Sequence, residues 1–263
     1  VLQNSQWKSF IRQNIEDGEI PLWNPHQFSG IPFMAAGQQS TLYPLSILYY
    51  VMPLPAAYGW FTVVNLWLAG VFMYTFMRGL GIKRTGATIS GITYQLCGFF
   101  IASVVFPMII GAIVWLPLLL LMAEFIIRRK PFFGRESSIP WVAIGAIALG
   151  CNILAGHVEI TIYTLLILGY YSAMRLMFEY FRKHRAEAIR ESPLQERIIK
   201  PFAWLAVMIV LGFGLGAIQF IPLFEFANSN WRAERSSVET VMSYAHPARD
   251  ALQFAMPNFY GSP

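Results

Sequence analysis

The feature that most constrains this chain is a series of long apolar runs that carry almost no charge. A membrane-spanning helix needs about 20 mostly apolar residues. Six stretches come close to that length, at about 57–77, 86–104, 106–127, 139–156, 158–179 and 202–222. They predict an all-α integral membrane protein, built as a polytopic bundle of about six transmembrane helices. Only 13% of the residues are charged, about half of what a soluble domain carries, so a soluble globular fold is excluded.

The basic residues are unevenly distributed between the connecting loops. Fourteen of the 19 Lys and Arg residues lie in or beside the loops that follow the first, third and fifth predicted spans. Positive charge gathers in the cytoplasmic loops of membrane proteins, so these loops are predicted to be cytoplasmic and both ends of the sequence to lie outside the cytoplasm. The net charge of +5 is therefore explained by topology. The predicted partner is a lipid bilayer, and no nucleic-acid partner is predicted.

This topology divides the chain into three parts. Residues 1–56 form an external loop region, residues 57–222 form the transmembrane domain, and residues 223–263 begin a second external segment. Within the first part, the run SILYYVMP at 46–53 is apolar but only about half a span long. It predicts a re-entrant or interfacial helix rather than a crossing.

The external loop region opens on an amphipathic pattern. Apolar residues recur at helical spacing while polar residues occupy other faces, with Trp7, Phe10, Ile11 and Ile15 set against Lys8, Arg12, Asn14 and Glu16. This pattern predicts a helix that lies flat in the membrane interface. Asp17 and Gly18 come next, and the glycine is expected to end the helix because it tolerates a left-handed backbone.

Polar groups near the predicted external face are the candidates for chemistry, because a membrane rejects such groups unless they have a partner or a role. Glu16, Asp17 and Glu19 form a carboxylate cluster, which is either a solvated turn or a site that serves as a base or binds a divalent cation. His157 and Glu159 stand where the fourth and fifth spans meet. They are either a cap of the fifth helix or an acid–base pair that faces an external cavity.

Polar groups within the spans have simpler explanations. Glu124 lies four residues before Arg128, so a helical ion pair is predicted. Three amides also lie inside predicted spans, namely Asn65, Gln95 and Asn152. An amide in a membrane needs a partner on another helix or a water molecule, so interhelical hydrogen bonds are predicted for most of them.

The segment after the last span carries two arginines, Arg232 and Arg235. Their guanidinium groups either bind a phosphate near the outer leaflet or pair with the neighbouring Glu234 and Glu239. The sequence contains no glycine-rich phosphate loop, no Ser-His-Asp signature and no metal-ligand spacing that is specific. Spans interrupted in matched halves, which are typical of many transporters, are not evident either.

Several motifs resemble the YfhO-like family of bacterial membrane proteins. The first is PLWNPHQFSGIPF followed by QQSTLYPLSILYYVMP. Further matches follow in order: LWLAGVFMYTFMRGLGIKRTGATISGITYQLCGFF, IVWLPLLLLMAEFIIRR, LAGHVEITIYTLL, LGAIQFIPLFEFANSNWR and MPNFYGS. The resemblance covers nearly the whole chain, and its WNP and AGH elements are more specific than its leucine-rich spans.

That family is similar to the polytopic glycosyltransferases of GT-C architecture. The resemblance implies transfer of a sugar from a polyprenyl-phosphate carrier to an acceptor such as teichoic acid or another envelope glycan, outside the cytoplasm and at the bacterial plasma membrane. It also implies that the first external loop, to which residues 1–56 correspond, carries a catalytic Asp or Glu a little before the QWKSF region, and this acid is expected just ahead of Val1. Members of the family are longer than this sequence, so the chain is expected to be a piece of a longer protein.

The site residues follow from these two lines of argument. Those predicted to be catalytic are Asp17, Glu19, His157 and Glu159, and those predicted to bind substrate are Trp23, Asn24, His26, Gln39, Arg232 and Asn258. In the implied reaction a carboxylate takes the proton of the acceptor hydroxyl, and a basic group such as Arg232 stabilises the departing lipid phosphate. The alternatives are a transporter or flippase of a lipid-linked envelope precursor, and a non-enzymatic scaffold.

Overall fold

The computed structural model of the protein describes residues 2–27, 29–186, 198–228, 238–243 and 256. Its helices are α1 (Leu2–Glu16), α2 (Ile47–Val51), α3 (Leu54–Gly79), α4 (Arg84–Gln95), α5 (Gly98–Ala102), α6 (Pro107–Ile113), α7 (Leu116–Ile127), α8 (Ile139–Leu154), α9 (Val158–Ala186), α10 (Lys200–Asn228) and α11 (Val238–Ser243). The described residues also form two short strands, β1 (Trp23–Asn24) and β2 (Ile31–Pro32), and three short 3-10 turns.

Five stretches of the described chain are long and apolar enough to cross a membrane. They are Leu54–Gly79, Arg84–Val105, Pro107–Ile127, Val158–Glu179 and Lys200–Ala227. The protein is therefore mostly helical and has the character of a multi-pass membrane protein. The fourth predicted span, 139–156, corresponds to α8, which has only 16 residues and is about 24 Å long. That it crosses the bilayer as a sixth span stays a prediction.

The chain forms two compact units, Val1–Leu223 and Phe224–Pro263. The first unit holds the loop region and the transmembrane helices together. The boundary falls within α10. In the second unit the structure describes the last turn of α10, α11 and Met256.

Helix α8 runs antiparallel to the stretch formed by α6 and α7. Near its start, the Trp141 indole nitrogen donates to the Lys130 carbonyl at 2.7 Å, and near its end the Asn152 amide donates to the Ala112 carbonyl at 2.8 Å. The bundle thus has a basic end, formed by the loop at 128–138 and the starts of α4 and α10. Its opposite end, here called the loop end, is formed by the start of α3, the α8–α9 turn and the loop region.

Glycines bring α8 and α10 into close contact. A Cβ atom added at Gly150 would lie 2.9 Å from the Leu215 Cβ, and one added at Gly212 would lie 2.7 Å from the Leu149 Cβ. Helices inside a membrane pack mainly through van der Waals contact, so small residues at the crossing let the backbones approach. The two helices run in the same direction, because the earlier residue of one meets the earlier residue of the other.

Two of the apolar stretches are interrupted. The first breaks at Leu96 and Cys97, between α4 and α5. The second breaks between α6 and α7, where Pro117 has no N–H to give to the Ile113 carbonyl. The Tyr94 hydroxyl donates to that carbonyl at 3.4 Å, as buried backbone in a membrane requires. Neither interruption was predicted from the sequence.

The amphipathic helix exists, but its buried face differs from the prediction. Helix α1 ends at Glu16 and Gly18 has a φ of 78°, as predicted. Lys8, predicted on a polar face, is only 4% exposed, whereas Ile15 is 41% exposed. The prediction was wrong for Lys8 because its ammonium group reaches the Gln39 carbonyl at 2.5 Å, a partner that helical periodicity does not reveal.

The apolar run at 46–53 forms a short helix, as predicted. A 3-10 turn at Pro44–Ser46 leads into α2, which ends at Val51. Tyr49 is fully buried and stacks against Phe61 of α3, with the ring centroids 5.1 Å apart. The Arg12 guanidinium of α1 donates to the Met52 carbonyl at 3.2 Å. Helices α1 and α2 are therefore fixed to the loop end of the bundle.

Candidate functional site

The stretch PLWNPHQFSGIPF folds into a tight hairpin. Trp23 pairs with Pro32 and Asn24 pairs with Ile31 across the two antiparallel strands. The Asn24 carboxamide oxygen accepts the His26 backbone N–H at 2.9 Å, which fixes the turn. Gly30 has a φ of 115°, and a Cβ atom there would lie 2.5 Å from the Trp23 ring. A glycine is needed at this position because it tolerates the positive φ and because a larger residue would collide with the Trp23 ring.

A cavity of about 540 Å³ lies between α1 and this hairpin, and we call it the α1–hairpin cavity. Its lining residues are Ser5, Gln6, Trp7, Ser9, Phe10, Gln13, Asn24, His26 and Gln27. The lining combines hydroxyls, amides and aromatic rings and includes no Asp, Glu, Lys or Arg side chain. Such a surface offers both donors and acceptors to a neutral polar ligand.

Two of the predicted substrate-binding residues, Asn24 and His26, line this cavity. Trp23 lies on the same hairpin and is 55% exposed, but it does not line the cavity. Gln39 is buried in the loop that follows, at 3% exposure, and its side-chain nitrogen has no hydrogen-bond partner among the described residues. Arg232 and Asn258 lie outside the described residues.

The predicted catalytic acids Asp17 and Glu19 follow the end of α1 and are exposed. Asp17 donates its backbone N–H to the Gln13 carbonyl at 3.0 Å, and Glu19 donates to the Asn14 carbonyl at 2.8 Å. Gln13 lines the α1–hairpin cavity, whereas the two acids do not. Asp17 and Glu19 thus follow Gln13 in the chain without contributing to the cavity lining.

His157 and Glu159 lie at the turn between α8 and α9. The His157 Nδ1 accepts the Ile160 backbone N–H at 3.4 Å, as a residue that caps a helix N-terminus does. Its Nε2 lies 3.5 Å from a Glu159 carboxylate oxygen, and the His157 side chain is 13% exposed while that of Glu159 is 75% exposed. Both open interpretations therefore have a geometric basis, since the histidine caps the helix and contacts the carboxylate.

The loop at 37–40 packs directly on the α8–α9 turn. The Ser40 hydroxyl donates to the Ala155 carbonyl at 2.6 Å. Gly37 and Gly156 have φ angles of 82° and 83°, and the Gly37 carbonyl oxygen occupies the space that a Cβ at Gly156 would need. The Gln39 carbonyl in the same loop accepts a hydrogen bond from the Lys8 ammonium group. One loop therefore links α1 to the turn that carries His157.

The predicted catalytic groups therefore share the loop end but do not form one cluster. Among the described residues, no hydrogen bond or ion pair joins Asp17 or Glu19 to His157 or Glu159. Within the same part of the chain, no group of three or more His, Cys, Asp or Glu side chains is placed to hold a metal ion.

Lys8 is a buried polar residue that sequence analysis did not single out. Its ammonium group donates to the Gln39 carbonyl at 2.5 Å and lies 4.5 Å from the centre of the Tyr49 ring. Burial lowers the pKa of Lys8 to about 7, because desolvation disfavours the charged amine. Burial also raises the pKa of Tyr49, so this neighbour stays neutral. The sequence feature that could have indicated the burial of Lys8 is Ile11, an apolar residue that lies one turn further along the same helix face.

The low pKa of Lys8 predicts a pH-dependent stability. Between pH 7 and 10.5 the unfolded lysine holds a proton that the folded one lacks, so stability rises with pH across this window and is lowest below it. We expect thermal unfolding in detergent to show this rise for the wild type and to show a smaller rise for Lys8→Met. The exposed Lys83→Met serves as the control. Parallel stability curves for wild type and Lys8→Met would contradict the prediction.

A second buried polar cluster lies at the basic end. Glu124 is fully buried and accepts the Tyr171 hydroxyl at 2.7 Å. Its two carboxylate oxygens accept Arg175 at 2.8 and 2.6 Å. The predicted ion pair with Arg128 is confirmed at 2.5 Å, but sequence analysis missed Arg175 and Tyr171. The cluster joins α7 to α9. All of the hydrogen bonds and ion pairs described for it are formed between residues of the bundle.

The buried amides follow the prediction in part. Asn152 bonds across helices, since its amide donates to the Ala112 carbonyl and, at 3.4 Å, to the Thr164 hydroxyl. Asn65 donates to the Phe61 carbonyl of its own helix and accepts the Tyr43 hydroxyl from the loop region at 2.9 Å. Amide partners therefore come from loops as well as from neighbouring helices.

Comparison of the chain with protein-family models, with curated proteins and with solved structures finds no significant match. Functional assignment of the loop end therefore depends on its residues and on the resemblance of its motifs.

Proposed function

We propose that the protein is a membrane glycosyltransferase that moves a sugar from a polyprenyl-phosphate carrier to a glycan acceptor of the bacterial cell envelope. The observation that supports this proposal is the α1–hairpin cavity, with its lining of hydroxyls, amides and aromatic rings and no Asp, Glu, Lys or Arg side chain. Hydroxyls and amides pair with the hydroxyls of a sugar, and aromatic rings cover its C–H faces. The volume of about 540 Å³ is in the range of small-ligand sites.

The position of the cavity agrees with this function. It lies at the loop end, away from the basic loops that the positive-inside rule assigns to the cytoplasm. We therefore propose that the loop end faces outward. A lipid-linked sugar would then keep its chain beside the helices and bring its sugar to α1 and the hairpin.

The proposed reaction is a single displacement at the anomeric carbon. The acceptor hydroxyl forms the new glycosidic bond, the bond to the lipid phosphate breaks, and the phosphate leaves with the bonding electrons. A carboxylate takes the hydroxyl proton, and a basic group such as Arg232 stabilises the leaving phosphate. Candidates for the carboxylate within this sequence are Asp17, Glu19 and Glu159, the last of which contacts His157.

We expect the cavity variants His26→Ala and Gln6→Ala to lower sugar transfer, because each removes a polar group that lines the cavity. The assay follows a labelled polyprenyl-phosphate sugar in proteoliposomes with an envelope glycan acceptor. A loss on the order of tenfold is expected for each variant, which is the effect of about one substrate hydrogen bond. Leu22→Ala is the control, since Leu22 is 65% exposed on the same stretch and does not line the cavity.

The same assay separates the candidate catalytic groups and the alternatives. Full activity of Asp17→Ala, Glu19→Ala, His157→Ala and Glu159→Ala would overturn the catalytic assignments. Movement of the labelled lipid without a covalent product would instead identify a transporter or flippase. That second candidate is favoured by the interruptions at Leu96 and Pro117, because discontinuous helices line the sites of many transporters.

A further inference from the structure

The loop end is not the only place where the bundle forms a cavity with charged or polar walls. A second cavity of about 450 Å³ lies at the basic end, and we call it the basic-end cavity. Its walls come from the end of α7, the loop between α7 and α8, and the first turns of α10. No part of the proposed transfer reaction uses it.

The walls of the basic-end cavity carry more positive than negative charge. Arg129 lines it from the loop after α7 and Lys200 from the start of α10, and Glu136 is the acidic residue among the lining side chains. Ser137 and Ser138 add hydroxyls just before the start of α8. The cavity is thus suited to an anion that carries a further polar group.

The floor of the cavity is apolar. Ile126 is fully buried beneath it, and Trp204 of α10 lines its side. The start of α10 also carries exposed apolar side chains outside the cavity, since Ile199 is 52% exposed and Phe202 is 62% exposed. A free phosphate ion has no use for such a surface, whereas a lipid headgroup is attached to glycerol and acyl chains that contact it.

The loop beside the cavity has the character of a segment that contacts a membrane surface. Phe132 and Arg135 pair through two backbone hydrogen bonds of 3.0 Å, and Phe133 at the tip is 93% exposed. Lys130 precedes the tip. An exposed aromatic residue between basic residues is typical of the boundary between headgroups and acyl chains.

We propose that the basic-end cavity binds the headgroup of an anionic phospholipid. Its phosphate lies between Arg129 and Lys200, its headgroup hydroxyls face Ser137 and Ser138, and its glycerol rests on Trp204. Basic pockets between membrane helices bind acidic lipids in this way. The site is independent of the glycosyl transfer proposed at the loop end.

The test measures lipid retention by native mass spectrometry of the full chain in detergent, titrated with phosphatidylglycerol or phosphatidylcholine. We expect the wild type to retain phosphatidylglycerol in preference. The variant Arg129→Gln/Lys200→Gln should bind it more weakly by on the order of tenfold. The control Lys83→Gln/Arg84→Gln removes two charges from the same end of the bundle outside the cavity, and it should bind as the wild type does.

A variant with the opposite expected effect on lipid binding keeps the test decisive if the double variant fails to fold. Glu136→Gln removes the negative charge from the cavity, so retention of phosphatidylglycerol should increase. Equal retention by the wild type, the double variant and Glu136→Gln would overturn the proposal. Displacement of the lipid by millimolar inorganic phosphate would also overturn it, since the ligand would then be a free anion.

Discussion

Gly156→Ala is expected to prevent the loop end from folding correctly. Gly156 has a φ of 83°, which costs an alanine about 1–2 kcal/mol. The added methyl group would also collide with the Gly37 carbonyl oxygen, a backbone atom that cannot rotate away. Together these effects are expected to lower the free energy of unfolding by on the order of 4 kcal/mol. Thermal unfolding and the yield of monodisperse protein in detergent measure this loss.

Gly18→Ala separates backbone strain from collision. Gly18 has a similar φ of 78°, but a Cβ atom there meets no other atom within 4 Å. It should therefore show only the conformational cost of about 1–2 kcal/mol. Equal losses for the two variants would show that the contact between Gly37 and Gly156 contributes nothing.

Replacement of Glu124 by leucine is the second change for which we expect a large loss. The Arg175 side chain is 18% exposed and bonds both oxygens of this fully buried carboxylate. Removing one partner of a buried ion pair leaves an uncompensated charge and costs about 3–5 kcal/mol. Glu179, whose carboxylate lies 3.7 Å from Arg175, compensates part of this charge, so we expect a value near the lower limit.

The double variant Glu124→Leu/Arg175→Leu tests the origin of that loss. It removes both charges, so it should be more stable than Glu124→Leu alone. Glu16→Ala is the matched control at an exposed pair, since Arg12 and Glu16 are 36% and 62% exposed, and it should cost less than about 1 kcal/mol. A double variant less stable than Glu124→Leu would contradict the explanation by an unpaired charge.

The parts of the fold that depend on local sequence were predictable. Gly18 ends α1 because a glycine is the residue that adopts the required left-handed backbone. The run that became α2 is too short to span a membrane, and it forms a helix of five residues. The apolar stretches also appear close to their expected bounds, because length and hydropathy alone determine which segments can enter a bilayer.

Contacts between distant residues were not predictable from local pattern. Lys8 bonds a carbonyl 31 residues away, and Arg175 bonds a carboxylate 51 residues away. Periodicity shows which face of a helix is polar, but it does not show which polar group finds a buried partner. The interruption at Pro117 had a signal in the proline itself, but proline also occurs in the first turn of regular helices, so its effect depended on the context.

The candidate site was also predictable in its local features but not in its contacts between distant residues. The proline and glycine residues of the hairpin indicated a folded loop, and Asn24 and His26 do line a cavity. The contribution of α1 to that cavity was not predicted, because Ser5, Gln6 and Ser9 form no motif and become neighbours of the hairpin only through the fold.

The interruption between α6 and α7 has a consequence for the biosynthesis of this chain. Neither half is long enough to enter a bilayer alone, since α6 has 7 residues and α7 has 12, so the two halves must insert together. The Ile113 carbonyl is bonded by Tyr94, which leaves the ribosome earlier. The Ala112 carbonyl, which accepts the Trp115 backbone N–H at 3.4 Å, gains the Asn152 amide as a further donor only when 40 more residues have been synthesised. The polar contacts at this interruption therefore come from segments that are synthesised both before and after it.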